Sequence, residues 1–299
     1  DADFNMESVY GISNKIEALL EECSRLKKSA IGELQAEDRW ILSKTQNITS
    51  QVTEAVEKMR LREALQDILF TFETDLSWYS KRVEAKGRED VSGILHYINS
   101  VRVAMLSPFA PHVAEEMWEN LGYSEIVSKS AWPEFSKEKL DVTSIQSEEL
   151  LKGTINDIAN ILKVIKITPK KIVIYVNSDS MKSKVYRKIL GIMVGGQNNM
   201  GVVMKELIAD PETTEAKKMP DYIQKVIKDL HSESEEIKTM KLESDSFDEK
   251  EFLSKELLSI GKKEFGVEVS VYSESDDNIY DPKGKARHAR PFKPAILIE

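Results

Sequence analysis

From Met6 to Leu121 apolar residues recur every three or four positions, the spacing that lines one face of an α-helix. The pattern predicts a bundle of about five helices. The first runs roughly from Met6 to Lys28, with Ile16, Leu19, Leu20, Cys23 and Leu26 on one stripe, and the second from about Ala36 to Met59, with Trp40, Ile41, Ile48, Val52 and Val56 inward. In the third, Leu61, Leu65, Ile68, Phe72, Leu76, Tyr79 and Val83 follow three- and four-residue steps without a miss as far as the turn at Gly87. A fourth covers about Asp90 to Leu106. The fifth opens at Pro111, where the missing N–H of proline does no harm, and stops at Gly122. Short connections make neighbouring helices antiparallel.

The stretch from Glu134 to Gln146 is polar and aperiodic, and it reads as a linker. Beyond it a helix near Ser147 to Lys166 precedes ITPKKIVIYVN, whose β-branched run from Lys171 to Val176 predicts a strand. Helices are expected near Lys182 to Met193, Gln197 to Ile208, Asp221 to Leu230 and Asp248 to Phe265, and strands at Ile237 to Leu242, Val267 to Tyr272 and Ala295 to Ile298. The predicted fold class is therefore multi-domain, α and α/β. A helical bundle over residues 1–140 is followed over residues 143–299 by a smaller α/β domain with three or four strands.

At 299 residues the chain has room for two medium domains with full cores. No apolar run approaches a bilayer span, so no membrane partner is expected. The single cysteine, Cys23, excludes an intramolecular disulfide and a cysteine zinc cluster, and the four scattered histidines offer no metal-ligand spacing. A net charge of −9 argues, taken alone, against nucleic acid. The distribution alters that picture. Residues 1–140 carry 17 basic and 24 acidic side chains, and the remainder 25 and 27. Lys163, Lys166, Lys170, Lys171, Lys182, Lys184, Arg187 and Lys188 are opposed in sequence only by Asp179, while Lys283, Lys285, Arg287, Arg290 and Lys293 form a run with no acid among them. Two basic runs in one domain of an acidic protein point to an anionic partner.

Several motifs carry no chemistry. MKSK at Met181 has the wrong residue order for a KMSKS loop, no HIGH sequence accompanies it, and GGQNNMG from Gly195 lacks the Lys-Ser or Lys-Thr of a P-loop. Other blocks are more telling. LSPFAPHVAEEMWENLG from Leu106 to Gly122 is a helix, a proline corner and a second helix, and it resembles the corner in the anticodon-binding-type helical domain of class I aminoacyl-tRNA synthetases specific for leucine, isoleucine and valine. EDRWILSK from Glu37 and the order Asp75, Trp78, Tyr79, Arg82 on one side of the third helix match the same domain in the same order. ITPKKIVIYVN and YDPKGKARHARPFKPAILIE resemble the C-terminal domain of archaeal-type leucyl-tRNA synthetases. The coiled-coil arm of valine enzymes and the zinc module of many isoleucine enzymes are not seen.

The resemblance implies a monomeric, cytoplasmic, tRNA-binding C-terminal fragment. DADFNMES, with no initiating Met, accords with an excised piece. Catalytic and editing domains of the parent chain would precede it. The fragment alone would have no catalytic residue, metal or cofactor, ATP and Mg belonging to the parent ligase. The expected partner is tRNA(Leu), held by its corner and long variable arm rather than by its anticodon. The residues expected to meet RNA are Lys283, Lys285, Arg287, Arg290, Lys293, Ile298 and Glu299 with its terminal carboxylate. A second tier is Lys170, Lys171, Lys182 and Lys184, and weaker candidates in the bundle are Arg60, Arg62, Lys81 and Arg82. Deleting Ala295 to Glu299 is expected to weaken RNA binding without unfolding the domain. The alternatives are a non-catalytic scaffold for a protein partner and the equivalent part of an isoleucine or valine enzyme.

Overall fold

A computed structural model describes residues 6–177, 180–244 and 247–299. Asp179, the one acid in the first basic run, lies outside the described residues. The chain divides into two compact units, Asp1–Ser144 and Ile145–Glu299.

The first unit is helical: α1 (Met6–Arg25), α2 (Ala36–Glu57), α3 (Leu61–Gln66), α4 (Phe72–Ala85), α5 (Ser92–Leu106) and α6 (Pro111–Asn120). Its interior is built on Trp40, Ile41, Ile48 and Val52 of α2 together with Ile68, Phe72, Tyr79, Ile98 and Met105, all buried. One departure from the periodic pattern has a clear cause. A π-helical turn, Asp67–Thr71, joins α3 to α4, its wider loop closing with Phe72 N–H on the Asp67 carbonyl. The extra residue rotates the upstream segment relative to a straight 3.6-residue helix. Leu61 is consequently 42% exposed, and Ala64 takes the inward position. Buried Arg102 of α5 donates from Nε to the Ile68 carbonyl (2.7 Å) and from Nη2 to the Leu69 carbonyl (3.2 Å), satisfying oxygens in the irregular turn.

The proline corner is wound as expected. Phe109 and Ala110 both donate to the Leu106 carbonyl, Pro111 opens α6, and Gly122 closes it with φ of +86°, a conformation suited to glycine. Glu115 accepts the Val127 and Ser128 N–H groups and so caps the short 3-10 turn Val127–Lys129. The α5 N-terminus runs close to the connection between α1 and α2. A Cβ at Gly93 would stand 2.7 Å from the Ala30 carbonyl oxygen and 2.9 Å from that of Ser29. Gly93→Ala is therefore expected to destabilise this unit by about 1–3 kcal/mol, read as a lower urea midpoint. An unchanged midpoint would mean the loop yields freely.

The predicted linker is corrected up to Ser144. Ser136 N–H donates to Gln46 Oε1 (2.9 Å) and Asp141 N–H to Ser43 Oγ (3.0 Å), tying the segment to α2. Asp141 then accepts from Ser144 N–H, and α7 (Val142–Ile165) begins within the stretch read as linker.

In the second unit, β1 (Ile172–Val176) is the central strand of a three-stranded sheet of order β2-β1-β3, with β2 at Val269–Ser273 and β3 at Ala295–Ile298. β2 pairs parallel to β1 and β3 antiparallel. All five residues of β1 are buried, as a strand covered on both faces requires. Between β1 and β2 run α8 (Met181–Val194), α9 (Met200–Ala209), α10 (Pro220–His231), α11 (Glu235–Glu243) and α12 (Glu249–Phe265). The strand expected at Ile237 to Leu242 is helix α11 instead. Ser234 caps it by accepting the Ile237 N–H, Glu235 and Glu236 lie in its first turn, and Lys238 is buried beside Glu235. These local signals outweigh the β-leaning side chains.

Candidate nucleic-acid interface

The basic tail is part of the fold rather than a solvated extension. Ala286 and Ala289, three residues apart in KARHAR, pack with Val173, Tyr175 and Leu297 against the sheet, and the cations between them stay at or near the surface. Asp281 shapes the turn before them, accepting Lys285 N–H at 2.7 Å and Ala286 N–H at 2.8 Å. Burial opposes its ionisation, but these backbone donors prevail and hold its carboxyl below the usual range. Gly284, with φ of +62°, completes the turn.

β3 follows from the same segment and ends at Glu299. Lys171 and Glu299 exchange both backbone hydrogen bonds, at 3.0 and 2.9 Å, and Ile172 stands opposite Ile298. In an antiparallel ladder the residues adjoining such a pair turn their amides the other way. Ile296 and Ile298 thus present their backbone groups to the outer edge of the sheet. Lys285 Nζ occupies that edge at the Ile296 carbonyl (2.8 Å). Glu299 has its own N–H and C=O taken by the ladder. Deletion of residues 295–299 would also remove buried Ile296 and Leu297 together with one side of β1, so it is expected to cost the domain stability as well as any RNA contact.

The structure gathers the sequence candidates into three groups. Lys170, Lys171, Lys285, Ile298 and Glu299 meet where β1 begins and β3 ends, with Lys171 Nζ 3.6 Å from the centre of the Tyr280 ring. At the other end of β1, Lys182 pairs with Glu274 and donates to the Arg287 carbonyl at 3.2 Å. Arg287 itself is exposed and leans on His288. A third group sits on the turn after it. Arg290 and Lys293 bond each other's backbones in a two-residue hairpin, and both side chains pair with Asp229 of α10, Lys293 at 3.6 Å. Lys283 and Lys184 are exposed and make no ion pair among the described residues.

The candidates in the bundle belong to the first unit. Arg60 is neutralised by Glu54 and Glu63, Arg62 is exposed, and Lys81 lies over the Trp78 ring. Arg82 is a correction. Its side chain is fully buried, 4.0 Å from the Glu37 carboxylate, and it serves the bundle interior instead of facing a ligand.

Two residues matter here that the sequence did not single out. Tyr280, next to the Asp-Pro turn, donates to Glu299 Oε2 (2.8 Å) and accepts Tyr175 Oη on its carbonyl (2.6 Å). An aromatic residue beside a turn-forming DPKG was a usable signal. Asp229 had none, because its partners lie about 60 residues downstream.

Residues 38–174 match the family model for the anticodon-binding domain of tRNA ligases. The leucine–tRNA ligase of Methanococcoides burtonii is 33% identical over 100% of this chain and 31% of the relative's length. That of Methanosarcina mazei is 35% identical over 89% and 27%, and that of Pyrococcus horikoshii 30% over 100% and 29%. The chain therefore spans about three-tenths of the length of these relatives. A solved ternary complex of an Agrobacterium radiobacter leucyl-tRNA synthetase with tRNA resembles 45% of this chain and 16% of that one, at 23% identity and a TM-score of 0.35, too slight a likeness to bear on function. Residues 38–174 belong to the anticodon-binding domain family of tRNA ligases, and the chain is related along its whole length to archaeal leucine–tRNA ligases.

Proposed function

We propose that this chain is the tRNA-binding portion of a leucine–tRNA ligase. It holds tRNA(Leu) by its corner and long variable arm while catalytic and editing domains outside this chain carry out the ATP-dependent ligation. On this reading the portion acts as a cytoplasmic monomer without a cofactor of its own. The observation that carries it is the outer edge of β3, where Ile298 offers an N–H and a C=O beside Lys170 and Lys171. RNA helices are gripped through phosphates and 2′-hydroxyls, whereas unpaired bases are read along their edges. Lysines around an open strand edge supply both kinds of contact. Exposed Lys283 and Arg287 extend the cationic surface along the same segment.

The test is a titration of the chain with a tRNA(Leu) transcript and with one lacking the variable arm, at several salt concentrations. With about four phosphates engaged, log K should fall by roughly three for each tenfold rise in salt. The armless transcript should bind at least about tenfold more weakly, the scale of one or two lost contacts. Equal affinity for the two transcripts, or affinity indifferent to salt, would overturn the proposal and favour a protein partner.

A further inference from the structure

Tyr280 stands out among the aromatic side chains of the described residues. Three of them, Tyr10, Phe135 and Tyr280, are substantially exposed. Of these, Tyr280 alone is placed by the interactions above beside the open end of a β-strand. Two interactions hold its ring, the hydroxyl bonded to Glu299 Oε2 and Lys171 Nζ 3.6 Å from the ring centre, and Tyr175 Oη anchors its backbone carbonyl. An ammonium can come that near the centre only from above the ring plane, so Lys171 covers one face. The residue remains 39% exposed.

These features are those of a preformed stacking platform. Unpaired RNA bases find aromatic faces favourable, and a ring already held in place loses little freedom when a base settles on it. Such a base would have a polar edge to read nearby. The outward N–H and C=O of Ile298 form a donor–acceptor pair one residue from Glu299, the residue that anchors the Tyr280 hydroxyl. Lys285 blocks the same strand edge at Ile296 and so confines an approaching base to the Ile298 end. Lys170 is exposed close by for the adjoining phosphate.

We propose that Tyr280 stacks an unpaired base of the bound RNA, with the base edge on the Ile298 backbone. This rests on the tRNA-binding function proposed above and names the side chain that receives a base. It assigns the platform role to the ring, and to the hydroxyl only the task of orienting it.

The experiment uses the whole chain and tRNA(Leu) transcripts carrying 2-aminopurine at one unpaired variable-arm position at a time. Stacking quenches this base, and stacking on an aromatic side chain is worth about 5- to 100-fold in affinity. Wild type should quench at one position. Tyr280→Phe should keep the quench and bind within about threefold, since it retains the ring. Tyr280→Leu should lose the quench and about 5- to 100-fold of the affinity, with the sheet intact by circular dichroism. Quenching that persists in Tyr280→Leu, or a Tyr280→Phe chain as weak as Tyr280→Leu, overturns the platform role. If the armless transcript binds as tightly as the full one, the variable-arm function has failed and the platform falls with it. If the arm matters but no position is quenched, the platform alone has failed.

Discussion

Replacing Arg88 by alanine is expected to lower the stability of the helical unit by about 3–5 kcal/mol, the range for removing one partner of a buried ion pair. Glu37 and Asp38, at the start of α2, are both fully buried. Arg88 reaches Glu37 Oε1 at 2.7 Å, Asp38 Oδ2 at 2.9 Å and Asp90 Oδ1 at 3.0 Å. Lys86 holds the other oxygen of Glu37 at 2.7 Å, and Tyr79 donates to Asp38 Oδ1 at 2.7 Å. Burial pushes the Glu37 carboxyl upward, but hydrogen bonds from Lys86, its own backbone and Arg88 outweigh that and hold it below its ordinary value. Without Arg88 two carboxylates remain in the interior with too few donors. Urea unfolding followed by helical ellipticity measures the loss, and Arg88→Lys should recover only part of it because lysine cannot fork between two carboxylates. A loss below about 1 kcal/mol would place the pair in the weak, solvent-screened class. The sign with pH follows from the lowered Glu37 value. This contribution is present above the unfolded carboxyl pKa and is lost as acid protonates the folded group.

Glu249→Gln should do the reverse in the other unit, stabilising it at neutral and higher pH. Glu249 opens α12 and is buried; Oε1 accepts the Phe292 N–H at 2.8 Å, while Oε2 has no hydrogen-bond partner. Desolvation raises its pKa to about 7, the Phe292 amide and Lys241 pull it down, and Asp248 adds to the rise. A folded value above the unfolded one means the native state binds the extra proton, so stability declines as pH rises from about 4.5 to about 7. The shift is equivalent to about 3 kcal/mol, an upper figure for what the charge withholds from the fold. Glutamine keeps the acceptor for Phe292 and removes the charge. At about pH 8 the variant should unfold later than wild type, and at about pH 4, where both carry a neutral group, the two should coincide. The same gain at both pH values would assign the effect to packing and not to ionisation.

Much of this architecture was legible in the residues, and the failures have specific causes. The proline corner could be read because Pro111 and Gly122 act locally, each through its own backbone preference. Leu61 was misplaced because periodicity assumes a uniform helix, and the π turn that breaks it is tied to Arg102, more than thirty residues away. Ile237 to Leu242 looked like a strand by side-chain type, yet the Ser234 cap and the acidic first turn decided for a helix. In the candidate site the cations could be listed but their allegiances could not. Arg82 turned inward to Glu37, Arg290 and Lys293 paired with Asp229, and the exposed Lys283 and Arg287 differ from them by nothing visible in sequence. Sequence shows which side chains are charged, and only the assembled chain shows which charges are already answered.

The position of β1 in the middle of the sheet also sets an order of events. It pairs with β2 nearly 100 residues later and with β3 more than 120 residues later. Pairings so distant along the chain are slow to find, because a long loop must close before any contact repays its entropy. A ribosome therefore releases the entirely apolar segment IVIYV well before either neighbour exists. During that interval β1 has two unpaired edges open to other chains, the hazard of any bare hydrophobic strand. The edge of β3 that faces solvent is then the last part of the sheet to form, and its appearance marks a nascent chain whose central strand is covered.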